Sequence, residues 1–116
     1  GTIEMWGDGN QTRSFLYIDE CLEGVRRLMS QDEFMGPVNI GSDEMISING
    51  LAEMVMGIAG KKLNIVHIPG PLGVMGRNSD NRLIKEKLGW APSWPLSKGM
   101  ALTYQWINEQ VQKRSK

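Results

Sequence analysis

Two arginines are the residues of this sequence whose type and surroundings could do chemistry. Arg13 follows the tight turn Gly7–Asn10 and precedes an apolar run, and Arg77 lies in a glycine-rich loop before a predicted helix. A guanidinium held by a short loop can be directed at one point, where it forms charge-assisted hydrogen bonds worth roughly 1.5–3 kcal/mol each. Two that converge would bind a diphosphate, and two that do not are ordinary solvated arginines. The residues alone leave both interpretations open.

The glycine-rich turn, the histidine and the cysteine give weaker indications of a functional site than the two arginines. Gly7-Asp8-Gly9-Asn10-Gln11-Thr12 lacks the third glycine of a dinucleotide-binding loop and precedes a strand instead of a helix. His67 alternates with apolar residues, so we expect a surface or hydrogen-bonded structural histidine; a catalytic base is the alternative, although the sequence shows no partner for it. Cys21 falls in the first turn of a predicted helix beside acidic residues, so we expect a structural thiol. One histidine and one cysteine give no set at metal-ligand spacing.

Length and composition bound the class of protein. The 116 residues predict one domain, 1–116, and 41% hydrophobic residues suffice for a core. The net charge of zero provides no field for nucleic acid or an anionic membrane, so neither is expected as a partner. A single cysteine and the lack of a long apolar run favour the cytoplasm. The chain opens directly on a predicted strand, which suggests a piece of a longer protein.

Hydrophobic periodicity predicts an α/β chain of about four helices and a few short strands. The strands are expected at 3–6, 14–18, 37–41 and 63–68. The helices are expected to begin at Asp19, Ser47, Asp80 (or Ser79) and Ser97. The second should end at Gly60 and the third at Gly89, and the last should bury a face of Met100, Leu102, Ile107 and Val111. This alternation is too short for a complete doubly wound domain.

Five segments, in order, resemble the extended short-chain dehydrogenases, the NAD-dependent nucleotide-sugar epimerases and dehydratases. The segments are Trp-Gly-Asp-Gly at 6–9, Gln-Thr-Arg-Ser-Phe at 11–15, Tyr-Ile-Asp-Glu at 17–20, Val-Asn-Ile-Gly at 38–41 and Lys-Leu-Gly-Trp-Ala-Pro at 87–92. The resemblance runs from about residue 3 to 112. Further segments at 38–45, 67–71 and 76–81 are similar to the GDP-mannose 3,5-epimerases. UDP-glucuronate decarboxylases and dTDP-glucose dehydratases, which share the Gln-Thr-Arg-Ser-Phe and Leu-Gly-Trp pieces, stay as alternatives.

The resemblance implies a small C-terminal substrate-binding domain whose Rossmann half is absent. Gln11, Thr12 and Arg13 match the segment that contacts the nucleotide-sugar, and Arg77 matches a second arginine on the diphosphate. Asp19 and Asp80 would then cap helices that fix the two loops. Met75 departs from the family pattern, because a basic residue is expected there.

The resemblance also implies what the chain does not do by itself. The family's NAD loop, its Tyr-x-x-x-Lys pair and its epimerising cysteine and lysine match no residue here, and Cys21 does not correspond to that cysteine. NAD would therefore serve the full-length enzyme, and this chain alone would bind no cofactor and catalyse nothing. Its partners would be a nucleotide-diphosphate sugar and either the missing Rossmann domain or a second copy. A stand-alone binding or interaction module is the alternative.

Overall fold

A computed structural model describes residues 1–71 and 73–115, so Leu72 of the predicted loop before Asn78 lies outside the described residues. Within them, strands and helices alternate as predicted. The elements are β1 (Thr2–Trp6), β2 (Thr12–Ser14), α1 (Ile18–Met29), β3 (Met45–Ser47), α2 (Ile48–Ala59), β4 (Asn64–Ile68), α3 (Arg82–Leu88) and α4 (Leu96–Arg114). The expectation of an α/β chain with four helices is confirmed.

The strands form two small sheets. β1 and β4 pair in parallel from Thr2 opposite Asn64 to Trp6 opposite Ile68. β2 and β3 pair antiparallel, with Arg13 opposite Ile46. Since β1 and β2 are joined by the Gly7–Asn10 turn, this turn connects the two sheets.

Two strand predictions are wrong. The strand expected at 14–18 lies earlier, at Thr12–Ser14, because these are the residues that pair with β3; Tyr17 instead stacks its ring on Trp94, with centroids 5.0 Å apart. The segment 37–41 forms no strand, whereas Met45–Ser47 does. A strand requires a hydrogen-bonded neighbour, and β2 supplies one to β3.

The ends of α2 and α3 follow their predicted signals. The Ser47 hydroxyl accepts a hydrogen bond of 3.0 Å from the N–H of Gly50, and Gly60 ends α2 in the left-handed conformation with φ 66°. Gly89 ends α3 in the same way, with φ 64°. Asp80 accepts from the N–H of Arg82 at 3.1 Å, although the cap position itself is the next residue.

The caps predicted for α1 and α4 are wrong. α1 begins after Tyr17, so Asp19 lies inside its first turn, and α4 begins after Pro95, so Ser97 lies inside it. Neither cap residue makes a side-chain capping hydrogen bond. The extended backbone of Tyr17 and Pro95, with ψ 142° at both, sets these starts one or two residues before the polar side chain.

A carboxylate that the sequence does not reveal holds α1 to the loop before α4. Glu20 is only 8% exposed, and its two oxygens accept hydrogen bonds from the N–H groups of Ser93 at 2.7 Å and Trp94 at 3.0 Å. On the same side of α1, Gly24 lies against the ring of Trp90. This side of the helix is therefore fixed to the 90–95 loop.

The core is smaller than the length predicts. Among the described residues the buried apolar side chains are Met5, Ile84, Leu96 and Pro92. The face expected to be buried on α4 is largely exposed: Leu102, Ile107 and Val111 are 41%, 49% and 53% exposed. The radius of gyration of 17.0 Å exceeds the value of about 13 Å for a compact chain of this length. None of the described helices is long and apolar enough to cross a membrane.

Candidate functional site

The two predicted substrate segments meet through their backbones. Thr12 forms an isolated parallel bridge with Gly76. The N–H of Thr12 donates to the carbonyl of Met75 at 2.7 Å, and the N–H of Arg77 donates to the carbonyl of Thr12 at 3.3 Å. Residues 11–13 and 75–77, far apart in the sequence, are therefore neighbours in space.

The close approach depends on the small residue at position 76. A Cβ added to Gly76 would lie 3.0 Å from the hydroxyl oxygen of Thr12, tighter than an ordinary contact. That hydroxyl lies 3.5 Å from the carbonyl oxygen of Met75, to which it donates. The Thr12 side chain is thus part of the joint between the two segments, and its predicted contact with substrate stays a prediction.

The guanidinium of Arg13 lies against the same loop that carries Arg77. Its Nη1 donates to the carbonyl of Thr12 at 2.7 Å, and its Nη2 is 3.7 Å from the position of a Cβ built on Gly73. Arg13 is half-buried and Arg77 is exposed. Within the described residues neither arginine takes part in an ion pair. Both cations therefore keep their charge available to an anion at this loop.

Gln11 differs from the arginines because it is buried, with 8% exposure. Its Oε1 has no hydrogen-bond partner among the described residues. The residue borders an apolar groove of about 510 Å³ that lies between β1 and α2. An unpaired buried acceptor costs about 1–3 kcal/mol, which is the kind of cost that functional sites carry.

A polar cleft of about 770 Å³ begins directly after Arg77, lined by residues 78–82 and 91–93 among others. In it, Asp80 forms a two-oxygen contact with the guanidinium of Arg82, with the shortest distance 2.6 Å. Hydrogen bonds from the Arg82 side chain and backbone lower the pKa of Asp80 to about 2. Asn81 donates to the carbonyl of Gly41 at 2.8 Å, which fixes the cleft's wall. Asp80 and Asn81 lie inside the 76–81 segment of the sequence resemblance, but no chemistry could be assigned to them from the sequence.

The turn Gly7–Asn10 does not fit the pyrophosphate of a dinucleotide. The N–H of Gly7 donates to the carbonyl of Ile68 at 2.8 Å, and the turn leads into β2 instead of a helix. A pyrophosphate loop needs free N–H groups at the start of a helix. The residues of this turn therefore give no support to a cofactor site on it.

The histidine and the cysteine stand apart from the arginines. His67 Nε2 lies 3.0 Å from Oδ1 of Asn49, which confirms the prediction of a hydrogen-bonded histidine. Cys21 is a free, half-buried thiol on α1. In the described part of the chain no group of histidine, cysteine and carboxylate residues could hold a metal ion.

Comparison with known proteins gives a consistent set of relatives. No family model matches the chain. It is 66% identical over 111 residues, 96% of its length, to GDP-mannose 3,5-epimerase of Arabidopsis thaliana. Those residues are 29% of that enzyme, so the chain spans less than a third of the relative that it matches.

Solved structures of two epimerases share the fold. A UDP-glucose 4-epimerase of Thermotoga maritima, crystallised with UDP-glucose, superposes with TM-score 0.84 at 28% identity, over 95% of this chain and 36% of that one. A UDP-glucuronic acid 4-epimerase of Bacillus cereus, in complex with UDP-glucuronic acid and NAD, gives TM-score 0.86 at 28% identity, over 94% and 36%. The described fold therefore matches a segment of the extended short-chain dehydrogenase fold.

Proposed function

We propose, on the premise that the chain is a segment of an extended short-chain dehydrogenase of the nucleotide-sugar epimerase group, that it supplies the diphosphate-binding side of a GDP-sugar site. The observation that carries the proposal is the bridge between Thr12 and Gly76, which makes neighbours of the segments bearing Arg13 and Arg77. Identity of 66% to a GDP-mannose 3,5-epimerase supports a GDP-sugar as ligand.

In this proposal the two guanidiniums bind the diphosphate oxygens. Arg13 extends from β2 towards the loop at Gly73, and Arg77 directly follows the bridged residue Gly76. Arginine suits this task because its planar fork presents paired donors to phosphate oxygens. Gln11 would find in the bound ligand the partner that its buried Oε1 lacks. The site is open to solvent on this chain, so we expect a Kd on the order of 1 mM.

We assign the redox and proton-transfer steps to residues outside this chain. One crystallised relative holds NAD, and the Gly7–Asn10 turn does not fit its pyrophosphate. The 116 residues would thus form a single substrate-binding unit that is inactive by itself. A lone thiol favours the cytoplasm as its compartment.

An uncovered apolar stripe on α1 supports the idea that more protein packs here. Ile18, Leu22, Val25 and Met29 are between 41% and 81% exposed, and their spacing of four, three and four residues places them on one side of the helix. The other side is fixed to the 90–95 loop through Glu20. Since the chain spans 29% of the Arabidopsis enzyme, we propose that the stripe, Ile18-Leu22-Val25-Met29, packs on the remaining part.

The second candidate function is a stand-alone interaction module that covers the same stripe with a second copy. Sedimentation of the 116-residue chain separates the two. A dimer that forms at micromolar concentration and is lost in Leu22→Glu would favour the module. If the wild-type chain remains monomeric and the Leu22→Glu variant is also soluble and folded, the result would favour the enzyme segment.

An NMR titration of the chain with GDP-mannose, GDP and UDP-glucose tests the proposed site. We expect shifts confined to the amides of 11–14 and 76–79, larger for the two guanine nucleotides than for UDP-glucose. Arg13→Gln and Arg77→Gln should each weaken binding about ten-fold through loss of one charge-assisted contact. Lys113→Gln on distant α4 is the matched control. Shifts elsewhere, equal shifts with all ligands, or binding unchanged in both arginine variants would overturn the proposal.

A further inference from the structure

We infer that Asn49, the second residue of α2, is a positioning residue that fixes the Gly7–Asn10 turn and thereby the direction of the segment 11–13. The inference rests on the proposed function, which gives that segment its role. Asn49 is half-buried and lies far from Gly7–Asn10 in the sequence. Neither the sequence patterns nor the resemblance assigns it any task.

Asn49 contacts three consecutive residues of the turn. Its backbone N–H donates to the carbonyl of Gly9 at 3.0 Å. Its side-chain Nδ2 donates to the carbonyl of Asp8 at 2.9 Å and lies 3.4 Å from Oδ1 of Asn10. One residue of α2 therefore holds the turn by its main chain and by its side chain.

The remaining oxygen of the Asn49 amide is held by β4. His67 Nε2 lies 3.0 Å from it. Because Nδ2 must face the carbonyl of Asp8, which can only accept, Oδ1 must face His67, and Nε2 is then the donor. The amide is thus fixed at both ends, between the turn and the parallel sheet.

Gly9 suits this arrangement because it has no side chain. Its φ of 74° lies in the left-handed region, and an added Cβ would collide with Oδ1 of Asn49 and with Sδ of Met5. The turn and the Asn49 side chain therefore occupy complementary space.

The start of α2 also fixes the backbone where the chain leaves the turn. The N–H of Ile48, next to Asn49, donates to the carbonyl of Gln11 at 3.0 Å. The start of α2 thus fixes the backbone at Gly9 and at Gln11, on both sides of Asn10. The next residue, Thr12, is the one that bridges to Gly76, so the geometry points to α2 as the support of the diphosphate segment.

Hydrogen exchange without ligand tests the positioning directly. In Asn49→Ala we expect exchange of the Thr12 amide to rise about ten-fold, while Val55 in α2 and Val66 in β4 keep their wild-type rates. A merely structural loss would raise all three together. Asn108→Ala on an exposed part of α4 is the control. His67→Gln, which keeps a donor near Oδ1, should exchange more slowly at Thr12 than His67→Ala.

Ligand binding separates this inference from the proposed function. We expect Asn49→Ala to weaken GDP-mannose binding about five-fold, with unchanged shifts at Val55. If the wild-type chain binds and Arg13→Gln weakens binding, but Asn49→Ala exchanges and binds as wild type, the positioning inference is overturned and the proposed function stands. If the wild-type chain does not bind, faster Thr12 exchange in Asn49→Ala still supports the positioning, while the proposed function fails.

Discussion

The backbone N–H of Ile48 donates a hydrogen bond of 3.0 Å to the carbonyl oxygen of Gln11. The carbonyl of Gln11 is therefore paired with the first residue of α2. Its side chain is not, because the buried Oε1 has no partner among the described residues. A residue whose backbone is anchored and whose side chain is left unpaired is a candidate for a trade between stability and binding.

We predict that Gln11→Met stabilises the chain and weakens ligand binding. Removing a buried, unpaired acceptor while keeping a similar shape should raise the free energy of unfolding by about 1 kcal/mol. Urea unfolding followed by tryptophan fluorescence measures this, and the NMR titration measures binding. Gln112→Met at the exposed end of α4 serves as control. A destabilised Gln11→Met would show that Oε1 makes a favourable contact in solution.

Glu20 gives a prediction on stability alone. Glu20→Gln replaces one of the two oxygens that accept the N–H groups of Ser93 and Trp94 by an NH₂ group, which faces a donor with a donor. We expect a loss of about 1–3 kcal/mol in the free energy of unfolding. Glu33→Gln, on an exposed loop, should change it little. Equal unfolding midpoints for the two variants would contradict the role assigned to Glu20.

Two glycines within helices should respond to alanine in opposite directions. In α1, a Cβ on Gly24 would lie 2.9 Å from Ile40 Cγ2 and 3.0 Å from Trp90 Cζ3, so Gly24→Ala should destabilise despite its better helix propensity. In α2, nothing lies within 4 Å of a Cβ on Gly57, so Gly57→Ala should stabilise by about 0.5–1 kcal/mol. Thermal unfolding of the pair measures both. A stabilised Gly24→Ala would disprove the packing of Gly24 on Trp90, and a destabilised Gly57→Ala would contradict the open space at Gly57.

The ion pairs of Glu23 with Arg26 and Arg27 on α1 give a prediction on pH dependence. Hydrogen bonds from Arg26 and then Arg27 lower the pKa of Glu23 from 4.5 to about 2. Because the pKa is lower in the folded chain, the stabilisation is present above pH 4.5 and is lost as the pH falls towards 2. Carboxyl NMR should show Glu23 titrating near 2, and near its ordinary value in the double variant Arg26→Gln, Arg27→Gln. An unchanged titration in that variant would assign the shift to another cause.

The elements that could be predicted from the sequence are those decided locally. Ser47 and Gly60 bound α2 as expected because a cap and a left-handed glycine act within one turn of the helix. Asp19 and Ser97 failed as caps because the preceding extended residues, Tyr17 and Pro95, fix the helix starts. The strand expected at 37–41 failed because pairing depends on a neighbour that no local pattern reveals.

The candidate site also has a part that the sequence indicated and a part that only the fold reveals. The resemblance named Gln11, Thr12, Arg13 and Arg77, and their contacts with a substrate stay predictions. The bridge from Thr12 to Gly76 could not be derived from spacing, because it joins residues 64 positions apart (76 minus 12). Asn49 was missed for a related reason. An asparagine near a helix start suggests only a cap, and its contacts with the turn exist only in the fold.

The parallel pairing of β1 with β4 has a consequence for how the chain folds. Among the described residues the strand partner of Thr2 is Asn64, so 62 further residues (64 minus 2) must be synthesised before this pair can form. At about 5–20 residues per second on the ribosome, β1 waits several seconds with its edge open. Such non-local contacts also slow folding, because the loop between them must close first.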